Sequence, residues 1–166
     1  HCEHQLWANN GYFVIFCNPR GSDGRGFDFR NITGKYGDWD YVSLMDYLDG
    51  ILEKYPEIDQ KRLGVTGGSY GGYATLAGLT YTPDLYACGV DYVGVSNLFT
   101  FLQTIPPYWK PMLDMMYEMV GDPQKDSTML AAYSPALNAD KIKAPLLVVQ
   151  GANDPRVNKA ESDQMV

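Results

Sequence analysis

Short apolar, β-rich runs alternate with segments of helical spacing along this 166-residue chain. Residues 12–17 (YFVIFC) follow Asn9-Asn10-Gly11, a helix-stopping cluster, and predict a strand buried on both faces. Residues 18–26 (NPRGSDGRG) predict a Gly-rich loop. From 38 to 55 the apolar residues Trp39, Val42, Leu44, Met45, Leu48 and Leu52 recur at helical spacing, and Pro56 marks the stop. A second strand, RLGVT at 62–66, runs straight into GGSYGG, after which 73–80 reads as a helix of small residues. ACGVDYVGV (87–95) and PLLVVQ (145–150) predict the third and fourth strands. Between them lie Pro106-Pro107 and a Met-rich helix at 112–120, and a last helix begins near Asn158. This alternation predicts an α/β domain with a mostly parallel sheet flanked by helices. No internal repeat or interdomain linker interrupts it, and the length fits one domain.

Composition narrows the function classes. Apolar residues at 45% and charged residues at 20% are ordinary for a globular protein. The net charge of −7 repels phosphate backbones and anionic lipid, which argues against nucleic-acid and membrane partners. No apolar run approaches the roughly 18 residues that span a bilayer. The three cysteines, Cys2, Cys17 and Cys88, are odd in number and far apart. They fit neither a disulfide framework nor a metal site, and as free thiols they point to the cytoplasm. The loop Gly21-Ser22-Asp23-Gly24-Arg25-Gly26 lacks the Lys-Ser/Thr ending of a phosphate cradle, so no cofactor is expected. Met112, Met115, Met116 and Met119 read as packing, and Tyr108 and Trp109 as packing or pocket lining. Asp46, Asp49, Glu53 and Glu57 read as a solvated helix face and the turn after it.

The chemistry concentrates at Ser69. Gly67-Gly68-Ser69-Tyr70-Gly71-Gly72 contains G-x-S-x-G, a common pattern whose specificity here comes from its place between a strand and a helix. A nucleophile on so sharp a turn has strained backbone angles, and its neighbours at ±2 must leave room for strand and helix to pass. The turn lifts Oγ clear of the sheet and aims the new helix's first amides at a developing oxyanion. The alternative is a Gly-rich turn with an incidental serine. Asp154, in QGANDPRV (150–157), lies just beyond the C-terminal end of a strand, the ligand-binding edge of an α/β sheet. The order Ser…Asp matches the hydrolase order Ser…Asp…His, in which the acid orients an imidazole. The alternative there is an Asp-Pro turn. Both histidines, His1 and His4, precede the nucleophile at what reads as a frayed terminus. None follows Asp154, so nucleophile and acid are present without a general base.

NPRGSDGRG, KRLGVTGGSYGGYATL and PLLVVQGANDPRV together resemble the catalytic domain of the prolyl oligopeptidase family of serine peptidases. The likeness is greatest to its acylaminoacyl- and dipeptidyl-peptidase branches, and it covers nearly the whole chain. It implies an α/β-hydrolase fold with Ser69 as nucleophile, Asp154 as triad acid and the Tyr70 amide as an oxyanion donor. Arg156 and Val157 would match positions that bind a substrate carbonyl and line the specificity pocket. The implied substrate is a small peptide, cleaved through an acyl-enzyme. The family's remaining oxyanion element would lie upstream of this chain and its catalytic histidine after Val166, and nothing here resembles its β-propeller. Residues 1–166 are therefore expected to be the middle of a catalytic domain, with little activity alone. An esterase or lipase of the same fold and a non-catalytic hydrolase-like module remain alternatives. The residue preferred at the cleaved bond, exo- versus endopeptidase action and oligomeric state are not legible.

Overall fold

The computed structural model describes residues 2–30 and 39–166. Helix α1 (Cys2–Asn9) and a short α2 (Phe27–Arg30) bracket the Gly-rich loop, and α3 (Trp39–Lys54) follows. Strand β1 (Gly64–Gly68) passes directly into α4 (Tyr70–Tyr81), which returns the chain to β2 (Cys88–Tyr92). Helices α5 (Leu98–Gln103), α6 (Leu113–Met119) and α7 (Ser127–Ala132) fill the segment before β3 (Leu146–Val149), and α8 (Lys159–Asp163) follows it. The three strands are parallel, in the order β1-β2-β3. Gly68 is in register with Tyr92, and Tyr92 with Val149, so the three C-terminal ends lie level on one edge. This parallel sheet with its flanking helices is the α/β architecture that the alternating pattern predicts.

Helix α4 is the centrepiece. It packs on both β1 and β2, and from Gly72 to Thr80 it is buried almost all round, as a helix without a polar face must be. The sheet is thinned to receive it: a Cβ on Gly89 would stand 2.5 Å from Leu79 Cδ1. Thr75 and Thr80 satisfy their buried hydroxyls by donating to the carbonyls of Gly71 and Leu76, one turn back. On one side Tyr73, Val95, Leu98, Phe101, Leu102, Ile105, Val120, Leu130 and Val157 form the larger apolar cluster. A smaller one, Leu52, Ile58 and Leu63, takes the inner face of α3 with Leu48, Ile51 and Tyr55. The carboxylates Asp46, Asp49, Glu53 and Glu57 are exposed, as α3's amphipathic pattern requires.

Three expectations are corrected. Residues 12–17 form no strand, and Tyr12, Phe13 and Phe16 are exposed. A continuous apolar run signals a demand for burial, but a strand also needs a neighbour's ladder, and no described strand pairs with this run. Phe16 stacks on His4 instead, Trp7 meets Tyr12 edge-on, and only Ile15 joins a core cluster. The methionines do not act together either. Leu113, Met116 and Tyr117 form the inward stripe of α6, which leaves Met112, Met115 and Met119 exposed. His4 is held in α1 rather than frayed. His1 and the predicted helix start at Asp38 lie outside the described residues.

Candidate active site

The turn between β1 and α4 holds Ser69 at φ 57° and ψ −116°, a conformation costly for any residue with a Cβ. Two backbone bonds impose it. The Ser69 amide donates to the Tyr92 carbonyl at the end of β2 (3.0 Å), and the Ser69 carbonyl accepts from the Tyr73 amide (3.0 Å). Sterics supply the rest: a Cβ on Gly67 would stand 2.4 Å from the backbone of Gly71. The tightest spot in the helix is one residue beyond the motif. A Cβ on Gly72 would meet Asp91 Oδ1 at 2.4 Å and Gly94 Cα at 2.5 Å, whereas one on Gly71 would meet nothing within 4 Å. Beside it, Val93 is the second non-glycine residue at positive φ (50°) among the described residues, unusual for a β-branched side chain. Ser69 is thus exposed at the sheet's C-terminal edge, and its Oγ has no hydrogen-bond partner among the described residues.

Asp154 lies off the same edge, beyond β3. The two loops leave strands separated by β2, which corresponds to ~10 Å between strand axes. An imidazole hydrogen-bonded at both nitrogens is the group that joins a serine and a carboxylate in such a triad. Asp154 Oδ1 accepts the amides of Arg156 (2.8 Å) and Val157 (2.9 Å), which folds the loop into a turn. Oδ2 accepts from no described residue, leaving one lone-pair face of the acid open. The base of the loop is laced by Gln150. Its Nε2 donates to the carbonyls of Gly151 and Val157 (both 3.2 Å), while its Oε1 accepts the Ser162 hydroxyl (3.0 Å).

Tyr70 and Val157 come together in the larger apolar cluster, Val157 buried within it and the Tyr70 ring packed against it. The Tyr70 amide is the first of α4, and no helical carbonyl can satisfy it. Arg156 is exposed. The structure thus gathers Ser69, Tyr70, Asp154, Arg156 and Val157 on one edge of the sheet. No group of three or more His, Cys, Asp or Glu arranged to hold a metal ion occurs among the described residues.

Three supporting acids escaped the sequence reading. Asp40, only 4% exposed, accepts the Tyr70 hydroxyl through Oδ2 and the Tyr41 amide through Oδ1 (2.8 Å). It falls four residues before Leu44 and eight before Leu48, on the apolar stripe of α3, and that placement was the readable signal. Glu161 is buried, with Oε2 accepting the amides of Ser96 (3.0 Å) and Asn97 (2.9 Å) and Oε1 accepting the Thr100 hydroxyl. It fastens α8, and hence the Asp154 loop, to the start of α5. Asp91 is wholly buried beneath the Ser69 turn, and neither of its carboxyl oxygens has a well-formed hydrogen bond among the described residues. Burial pushes its pKa up to about 6, which the Gly94 amide only partly offsets.

Residues 2–166 match the prolyl oligopeptidase family. The chain belongs to that family. Among its relatives are dipeptidyl aminopeptidase BIII of Pseudoxanthomonas mexicana, 49% identical over 98% of this chain and 24% of that protein. Another is dipeptidyl peptidase family member 6 of Caenorhabditis elegans, 43% identical over 96% of this chain and 22% of that protein. The fold superposes with a TM-score of 0.86 on an acylaminoacyl peptidase solved in complex with Z-Gly-Gly-Phe-chloromethyl ketone. The two are 30% identical over 98% of this chain and 26% of that one. The chain thus spans about a quarter of the length of these prolyl oligopeptidase relatives.

Proposed function

We propose that this chain carries the nucleophile and the acid of a serine peptidase acting on short peptides, as part of a larger catalytic domain. The observation that carries the reading is the strained, exposed Ser69 between β1 and α4, at the sheet edge where β3 also ends and the Asp154 loop begins. Ser69 Oγ attacks the scissile carbonyl while the Tyr70 amide, at the positive end of α4, faces the developing oxyanion. The Ser69 proton passes through the base to the departing amine as the C–N bond breaks, and water then hydrolyses the acyl-enzyme ester to free the acid product and Ser69. The open Oδ2 of Asp154 takes the N–H of an imidazole, and that base comes from a histidine outside residues 1–166. In this reading Arg156 binds a substrate carbonyl, and Tyr70 and Val157 form an apolar wall for the residue at the cleaved bond. The names of the relatives and the peptide-derived ligand of the acylaminoacyl peptidase support a peptide substrate.

The test uses the full-length protein and p-nitroanilides of free and N-acylated short peptides. Ser69→Ala is expected to lower kcat by about 10⁵-fold or more, and Asp154→Asn by about 10⁴-fold. Cleavage of p-nitrophenyl esters with no cleavage of any amide would contradict the peptidase reading. Turnover that survives Ser69→Ala would remove the assignment of the nucleophile.

A further inference from the structure

The residue that follows the nucleophile is anchored at both ends. At one end the Tyr70 backbone is the first turn of α4, immediately after the strained Ser69. At the other, its hydroxyl donates to Asp40 Oδ2 at 2.5 Å, thirty residues back in the chain. Between these ends the ring packs against the apolar cluster that contains Val157, 6.0 Å from the ring of Tyr73. Asp40 is itself fixed by the Tyr41 amide and is almost fully buried. The next residue reaches the far end of the same helix, where the Tyr41 and Thr82 hydroxyls are hydrogen-bonded at 2.8 Å. Two successive residues of α3 therefore grip α4 at its first residue and at its C-cap.

Such an arrangement has consequences for chemistry. The ψ of Ser69 and the φ of Tyr70 together set the direction of the Tyr70 N–H. A tyrosine ring free to change rotamer would relax that turn and shift the wall beside it. A buried carboxylate that accepts the hydroxyl removes this freedom before substrate arrives, as preorganisation requires. Resting on the peptidase reading above, we propose that Asp40 is a positioning residue: through the Tyr70 hydroxyl it fixes the oxyanion amide and the adjoining wall of the acyl site. Asp40 touches no reacting atom.

The experiment compares wild type, Asp40→Asn, Tyr70→Phe and the double variant in the full-length protein. Initial rates are followed with one p-nitroanilide substrate, and Ser69→Ala serves as reference. Each single variant is expected to lower kcat about tenfold and to leave KM within about twofold. The double variant should fall no further than the worse single one, because both act on one interaction: asparagine has a single oxygen where Asp40 serves two donors, and phenylalanine has no hydroxyl to donate. Asp40→Glu, which keeps an acceptor, should recover part of kcat. Additive losses, a loss carried by KM alone, or kcat within twofold of wild type in the single variants would overturn the proposal while leaving Ser69 intact. If Asp40→Asn does not fold, Tyr70→Phe decides alone, since it keeps the ring and removes only the hydroxyl. Activity that persists in Ser69→Ala would instead sink the peptidase reading, and this proposal with it.

Discussion

Asp91 is a carboxyl with no exposed surface beneath the turn that presents Ser69. Its pKa rises from 3.8 to about 6, so between those values the folded protein holds a proton that the unfolded chain has released. Stability on this account falls as pH rises from about 4 to about 6, and the cost is complete above that. The shift corresponds to a penalty on the order of 3 kcal/mol. Asp91→Asn is therefore expected to raise Tm relative to wild type at pH 8, with the gain shrinking towards pH 4. Thermal melts of both proteins at the two pH values check it, and a gain independent of pH would contradict it. Glu161 is the opposite case, a buried carboxylate with every oxygen engaged. Glu161→Ala leaves buried amides unpaired and should cost on the order of 3 kcal/mol or more, read as a lower denaturation midpoint.

At the scale of elements, the strand–turn–helix unit was the most legible part of the sequence, because sterics write it in glycine. The details differed from the pattern. Gly71 belongs to G-x-S-x-G yet has open space, whereas Gly72, outside it, is wedged against Asp91 and Gly94. Gly72→Ala should destabilise by about 1–3 kcal/mol through overpacking. Gly71→Ala should be neutral or stabilising by up to about 1 kcal/mol from helix propensity. Urea denaturation of the two variants distinguishes them, and equal effects would contradict this reading of α4. Asp154 stood out in the sequence because it lies just past the end of a strand, on the ligand-binding edge of an α/β sheet. Asp40 was legible as a buried position from its place on the apolar stripe of α3, but its partner 30 residues away was not, and Glu161 with partners 64–65 residues away left no local signal. Residues 12–17 show the complementary failure: apolar continuity announced burial and could not say which neighbour would supply it.

Among the described residues the sheet has three parallel strands whose C-terminal ends lie level, with the Ser69 turn and the Asp154 loop leaving that edge, while large apolar side chains remain exposed elsewhere. Tyr12, Phe13 and Phe16 are each more than half exposed. The 166-residue chain on its own should therefore bind an apolar dye and self-associate at micromolar concentration. Replacing Phe13 and Phe16 with serine should reduce both, as read by fluorescence and light scattering. On the proposed function, the Ser69 turn is a poised nucleophile rather than a packing device. The most direct test of this is to treat the full-length protein with a fluorophosphonate and locate the adduct by peptide mass spectrometry. The predicted result is stoichiometric modification of Ser69, abolished by Ser69→Ala and slowed by Asp154→Asn. An unmodified Ser69 in a protein that turns over peptides, or modification of another serine, would contradict it.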